Sequence, residues 1–277
     1  MEHSAGTRRD HVDGLIDYFE NAGERPVIYL YDPPEGVPVQ SGRTVKFTLP
    51  IYDGRAAADR LTLDGQGFAF VHHPTKVVDF YDPEEVRRIY YPEVAQLAKA
   101  VTGAKRVEVF DHNVRCRPMA QAGLNGAREP VKLAHNDYTL TSGPQRVRDL
   151  LGAKAAALLK HRFAEINVWR PIRGPVEESP LAVCDAQSMK LGDFVATDLK
   201  YRDRTGEVYS VTYSPAHRWY YFPRMQRDEA LLLKCYDSAE DGRARFTAHT
   251  GFEDPSAPSS AAPRESIEAR MLVFFDD

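Results

Sequence analysis

Cysteine is scarce and scattered: Cys116, Cys184 and Cys235 are three in 277 residues, odd in number and far apart. That spacing offers neither a disulfide framework nor a zinc knuckle, and it suits free thiols in a reducing compartment. Long apolar runs are missing too. No stretch approaches the length of a membrane span, and the opening segment MEHSAGTRRDHVDG lacks the hydrophobic centre of a secretory signal. A soluble, cytoplasmic protein is expected. Nor is there an excess of one charge, since 36 Lys and Arg face 40 Asp and Glu for a formal net charge of −4. With no basic stripe, neither nucleic acid nor a membrane is an expected partner, while a homodimer or a partner protein stays open. Internal repeats are absent, and the one Pro/Ser/Ala-rich stretch, 254–263, reads as a surface loop.

What is present is a β-rich pattern. The length sits at the upper end for one domain, and the chain reads as a single unit over 1–277. Residues 1–66 read as an extension packing on a core of 67–277. Strands are expected at 27–31, 44–52, 67–71, 166–169, 181–184, 208–213, 219–222, 231–236, 245–250 and 267–275. A short helix is expected through Val12, Leu15, Ile16 and Phe19. A second starts at Asp82-Pro83-Glu84-Glu85, is interrupted or kinked at Pro92 and stops at Gly103; a third runs from Gly143-Pro144 as far as His161. Many short strands with flanking helices predict a mainly β barrel or jelly roll.

The chemistry concentrates in a few polar residues. On a strand, alternate side chains share a face, so His135 and Asp137 point together while Asn136 points away. Two imidazoles and a carboxylate on one face of an octahedron form the ligand set that selects non-haem Fe(II) for oxygen chemistry. His249 is the preferred third ligand, with His217 as the competing choice. Arg264 and Ser266, two apart on the final strand, suit a carboxylate gripped by guanidinium and hydroxyl together, which implies a dicarboxylate co-substrate. Arg270 shares their face by even spacing and is a rival anchor.

Neighbouring residues are weighed against plainer roles. Asn167 and Trp169 share a face and suggest a hydrogen bond to the co-substrate and a pocket wall, against core packing with a structural ion pair for Arg170. Tyr138, Trp169, Arg170 and His217 are the candidate substrate contacts. Trp219, Tyr220, Tyr221 and Phe222 read as core in preference to an aromatic cage, and His112, Arg115 and Arg117 as a solvated strand edge in preference to a pocket mouth.

The segments HNDYT (135–139), NVWRPI (167–172), PLAVCDAQS (180–188), PAHRWYYFPRMQRDEALLLKCYDS (215–238), ARFTAHTGFEDP (244–255) and PRESIEAR (263–270) resemble the Fe(II)/2-oxoglutarate-dependent oxygenase-like family. Within it they are similar to the branch holding the cephamycin 7-methoxylation component and the fungal gibberellin desaturase. The resemblance implies a double-stranded β-helix, the cupin-like jelly roll, with Fe(II), 2-oxoglutarate and O2 as its reagents. It places His135, Asp137 and His249 at the iron-ligand positions and Arg264 and Ser266 at the Arg-x-Ser pair. The implied reaction is hydroxylation, desaturation or oxidative cyclisation of a secondary metabolite or amino-acid-like small molecule. One departure is the long interval between His249 and Arg264. Two other classes stand beside this reading: a cupin-like metal-dependent hydrolase or isomerase, and a noncatalytic barrel that binds a small molecule or a partner.

Overall fold

The computed structural model describes residues 10–21 and 23–276, and these form two β-sheets stacked face to face. The larger sheet contains β1 (His11–Glu20), β2 (Val27–Tyr29), β3 (Arg43–Asp53), β6 (His135–Asn136), β8 (Leu181–Cys184), β9 (Phe194–Lys200), β10 (Thr205–Val211), β11 (Trp219–Tyr221) and β13 (His249–Gly251). Its strand order is β1-β3-β11-β8-β13-β6-β10-β9-β2. The smaller contains β4 (Phe68–His72), β5 (Arg106–Cys116), β7 (Phe163–Pro171), β12 (Glu229–Asp237) and β14 (Glu265–Phe274), in the order β4-β12-β7-β14-β5. The free edge of β1 bridges to Leu133, Thr212 and Glu253, so the larger sheet curls back on itself. The result is the mainly β, cupin-like jelly roll that the resemblance implies. Segment 1–66 supplies β1, β2 and β3, all hydrogen-bonded into the larger sheet. No helix among the described residues is long and apolar enough to cross a membrane.

Residues 12–19 form strand, not helix. Their three-to-four spacing competes with a two-residue period in Gly14, Ile16 and Tyr18, and these three are buried. Gly14 is part of that face: a Cβ there would lie 2.5 Å from Ile51 Cδ1. The second helix begins as expected, with Asp82 capping the N–H of Glu84 ahead of α1 (Pro83–Glu85). The chain widens into a π-helical turn at Val86–Tyr90 just before Pro92, which sits in the first turn of α2 (Tyr91–Thr102). Gly103 ends α2 in the left-handed region, φ 74°. A short α3 (Arg117–Gln121) follows β5. The third helix stops earlier than expected: α4 (Ser142–Leu151) ends at Gly152, φ 51°, and only a short α5 (Ala155–Leu158) lies beyond. The strand expected over 245–250 shrinks to β13, while β5 and β9 lie outside the strands expected from the sequence.

Parity along β7 sorts the molecule into layers. All nine of its residues are buried. Ile166 and Val168 face outward and pack with Val94, Leu97 and Ala98 of α2, while Trp169 faces inward with Leu231, Leu233, Leu181 and Val183 between the sheets. The inner face of β14 continues that surface with Ser266, Glu268 and Arg270, opposite Arg115, Asn113 and Asp111 of β5. A bulge at Cys235 in β12 and a second register shift at Arg270/Met271 lie on this face.

Beneath β12, the buried carboxylate of Asp237 meets Lys234 Nζ and Arg162 Nη2, each at 2.8 Å. Burial pushes its pKa up, but the Arg162 hydrogen bond and the Lys234 charge outweigh this and hold it below the ordinary range. A depressed folded value stabilises the protein above the ordinary carboxyl pKa of about 4, and that contribution is lost as pH falls through the folded value. Asp237→Asn should therefore cost about 3–5 kcal/mol at pH 7 in denaturant melts and flatten the acid limb below pH ~4; unchanged stability at pH 7 would contradict the assignment. Gly67 (φ +89°) leaves only 2.2 Å between a built Cβ and Thr247 Oγ1. Gly67→Ala should lower stability by about 1–3 kcal/mol, and a Tm equal to wild type would refute it.

Candidate metal centre

His249 on β13 lies directly opposite His135 on β6, so hydrogen-bonded strands bring together two residues far apart in the chain. Their ring centroids are 4.5 Å apart. Each uses the same local device: Nδ1 meets the carbonyl two residues earlier, Leu133 O at 2.8 Å for His135 and Thr247 O at 2.9 Å for His249. A carbonyl only accepts, so Nδ1 carries the proton and Nε2 keeps its lone pair. Both Nε2 atoms face Asp137 Oδ1, at 3.6 and 3.9 Å. One ligand atom from each of the three residues falls within 4.8 Å of the others.

Electrostatics favours an open cation site. Burial, reinforced by the neighbouring His249, pushes the His135 pKa down to about 4, so it is neutral at pH 7. Burial penalises the Asp137 carboxylate, yet the two imidazoles, Arg270 and the Asn167 amide prevail and hold its pKa below the usual range. The set is two imidazole nitrogens and one carboxylate, the donor chemistry of a divalent iron site.

Two asparagines hold this set in place. Asn167 Nδ2 donates to Asp137 Oδ2 at 2.8 Å, which leaves Oδ1 turned to the imidazoles. The sequence suggests Asn167 as a co-substrate contact; its amide nitrogen is directed at the carboxylate instead. From the sequence Asn136 has no role beyond pointing away. Its buried amide donates to Tyr138 O and Cys235 O and accepts from the N–H of Thr247, tying β6 to β12 and to the approach of β13. The signal for it is present in the sequence: an amide between two ligands on one strand must face the core and find partners.

Beside His249 lies a narrow cavity of about 20 Å³ lined by Arg115, Trp169, Arg264 and Glu268, among others. The Arg264 guanidinium is buried, with Nη1 donating to Ser179 O at 2.6 Å and Cζ 5.7 Å from the Trp169 ring centre. Its Nε and the Oγ of Ser266 are buried without a hydrogen-bond partner. Burial, with Arg115 nearby, pushes the Arg264 pKa down to about 9, a penalty that a bound carboxylate would relieve. Arg270 differs: its Nε and Nη2 are committed to Asp111 at 2.7 and 2.5 Å. The orphaned donors at Arg264 and Ser266 fit the far carboxylate of 2-oxoglutarate.

A larger cavity of about 540 Å³ shares Arg115, Val131, His135 and Glu268 with the narrow one and includes Asp137, Tyr138, Arg146 and Arg270 in its wall. Arg115 lines both cavities, which favours the pocket-mouth reading over a solvated edge; its position opposite Ser266 turns it inward. Tyr138 borders the larger cavity. His217 and Arg170 do not. His217 is stacked on Tyr18 in the outer layer, with its ring nitrogens 3.0 Å from Tyr18 Oη and 3.2 Å from Asp193. Arg170 follows the outward parity of Ile166 and Val168 and meets His73 and Tyr90.

Comparison with known proteins agrees with this geometry. A family model described as Oxidoreductase/YMDC permease-like domain matches residues 16–274. The Fe(II)/2-oxoglutarate-dependent dioxygenase nvfI of Aspergillus novofumigatus is 32% identical over 92% of this chain and 93% of its own. The hydroxylase/desaturase efuI of Hormonema carpetanum is 35% identical over 99% and 98%. Among solved structures, the iron and alpha-ketoglutarate-dependent endoperoxidase NvfI superposes with a TM-score of 0.88 at 27% identity, covering 98% of this chain and 100% of that one. The chain belongs to the family that this model describes and to the Fe(II)/2-oxoglutarate-dependent dioxygenases.

Proposed function

We propose that His135, Asp137 and His249 hold Fe(II) through Nε2, Oδ1 and Nε2, and that Arg264 with Ser266 holds the distal carboxylate of 2-oxoglutarate. The observation that carries this reading is a pair of imidazoles fixed in one tautomer and aimed at one carboxylate oxygen, beside two buried donors with no partner. When bound, iron and 2-oxoglutarate supply O2 activation coupled to formation of succinate and CO2, directed at a substrate C–H bond. The chain's own residues bind, orient and exclude water. Trp169 and Leu181 wall the narrow cavity, and Asn167 keeps the Asp137 carboxylate turned.

The substrate is a small molecule, of the secondary-metabolite or amino-acid-like kind, bound in the 540 Å³ cavity. Ile28, Leu30, Leu133 and Leu199 give it an apolar wall. Arg146 lines the same cavity and leans over Phe110 at 5.6 Å. An apolar body with a hydrogen-bond-accepting group near Arg146 fits this lining. Hydroxylation, desaturation and oxidative ring formation are alternative outcomes of one site, selected by which C–H bond faces the metal. A metal-dependent hydrolase would leave Arg264 and Ser266 without a task, and their orphaned donors favour the oxygenase.

Anaerobic titration with Fe(II) and 2-oxoglutarate should give a visible metal-to-ligand charge-transfer band in wild type and none in Asp137→Ala or His249→Ala. Arg264→Ala should need roughly 10- to 100-fold more 2-oxoglutarate, and Arg270→Ala less than that. His217→Ala should keep the band while melting at lower temperature. A band that survives His249→Ala and disappears in His217→Ala would sink the ligand assignment.

A further inference from the structure

The narrow cavity beside His249 is lined by two arginines, Arg115 and Arg264. At about 20 Å³ it has room for roughly one water-sized group, so both side chains face the same small space. Different strands bring them there. Arg115 lies on β5 directly opposite Ser266 of β14, a pairing that sets Cβ atoms about 4.5–5.5 Å apart. Arg264 immediately precedes β14. The segment 129–131 runs past both: Glu129 O accepts from Arg115 Nη1 at 2.8 Å, and a Cβ built on Gly251 would lie 3.1 Å from Val131 O and 3.3 Å from Arg264 Nη1.

Two cations turned to one buried space repel each other, and a buried charge without a counterion is costly. The hydrogen bonds of these guanidiniums go to main-chain carbonyls, Glu129 O from Arg115 and Ser179 O from Arg264. Among the described residues neither forms an ion pair with a carboxylate, and Glu268, which shares the cavity wall, pairs with neither. Burial first, and the Arg115 charge second, lower the Arg264 pKa, and Arg115 acts in the same direction on His135. A carboxylate between the two guanidiniums would offset both charges.

We propose that Arg115 is a second anchor for the distal carboxylate of 2-oxoglutarate, facing Arg264 across that group, so that selectivity for a dicarboxylate rests on two cations instead of one. This rests on the reading of Arg264 and Ser266 as the carboxylate subsite. Arg115 also reaches the wall of the larger cavity, which makes a group on the substrate the rival occupant. The charge conflict it shares with Arg264 favours the co-substrate.

The test is anaerobic titration of the Fe(II) protein with 2-oxoglutarate and with 2-oxovalerate, followed by the charge-transfer band. The two keto acids share a carbon chain, and only the first has a distal carboxylate. Arg115→Met should weaken 2-oxoglutarate roughly tenfold and leave 2-oxovalerate within about twofold of wild type, so the preference between them falls. Fe(II) affinity without a keto acid, read by competition with a chromophoric chelator, should also stay within about twofold. Arg115→Lys, which keeps a charge without the planar fork, should lose about threefold of the preference and gives the measurement if the methionine variant does not fold. Weakening of 2-oxovalerate or of Fe(II) as large as that of 2-oxoglutarate would mark a purely structural role, and an unchanged preference would assign Arg115 to the substrate; either result overturns the inference. Arg264→Ala in the same titrations separates the failures. If it keeps the preference, the carboxylate subsite itself is misplaced; if it loses the preference while Arg115→Met keeps it, only the second anchor is wrong.

Discussion

The pairing of β6 with β13, which sets His135 opposite His249, is the contact on which the rest of the site depends. Both strands are short, two and three residues, so the ladder alone is a weak clamp. Asn136 supplements it from the far side by bonding the Thr247 N–H and the Cys235 carbonyl. Two protonated imidazoles at this separation would repel by about 4 kcal/mol at an effective dielectric near 20. Burial removes that conflict by keeping His135 neutral, and the Asp137 carboxylate faces Nε2 of both rings. The donor set suits a divalent cation.

Parity governs how the smaller sheet serves two purposes. Outward residues of β7 and β14, such as Ile166, Val168, Ile267 and Ala269, hold α2 against the sheet. Inward residues of the same strands, Glu165, Asn167, Ser266, Glu268 and Arg270, carry polarity into the space between the sheets. That polar lining is costly in a core, and the two register shifts on this face are where regular pairing gives way to it. Stability is supplied elsewhere, by the apolar layers and by the Lys234–Asp237–Arg162 cluster.

Much of this is legible in the residues. The alternation of His135 and Asp137 and the spacing of Arg264 and Ser266 follow from strand parity, and the structure gathers His135, Asp137 and His249. The preference for His249 over His217 rests on chain order, since His249 directly precedes the last strand; pairing register, a property of the closed sheet, sets His249 opposite His135 and leaves His217 against Tyr18. Arg170 departs from its expected place for a simpler reason, since parity from Asn167 and Trp169 already turns it outward. The N-terminal strand reads as helix because Gly14 has no side chain to register as apolar, although its backbone is buried between Ile51 and Phe252. Orphaned atoms such as Glu165 Oε1 and Arg264 Nε leave no trace in a sequence at all. They emerge only once neighbours are fixed and partners can be sought.

The most direct measurement is an iron-edge anomalous difference map from crystals grown anaerobically with Fe(II) and 2-oxoglutarate. The account predicts one peak bounded by Nε2 of His135, Nε2 of His249 and a carboxylate oxygen of Asp137, with the keto acid reaching Arg264. A peak at His217, ligation through Nδ1 of either histidine, or a keto acid bound at Arg270 would contradict it.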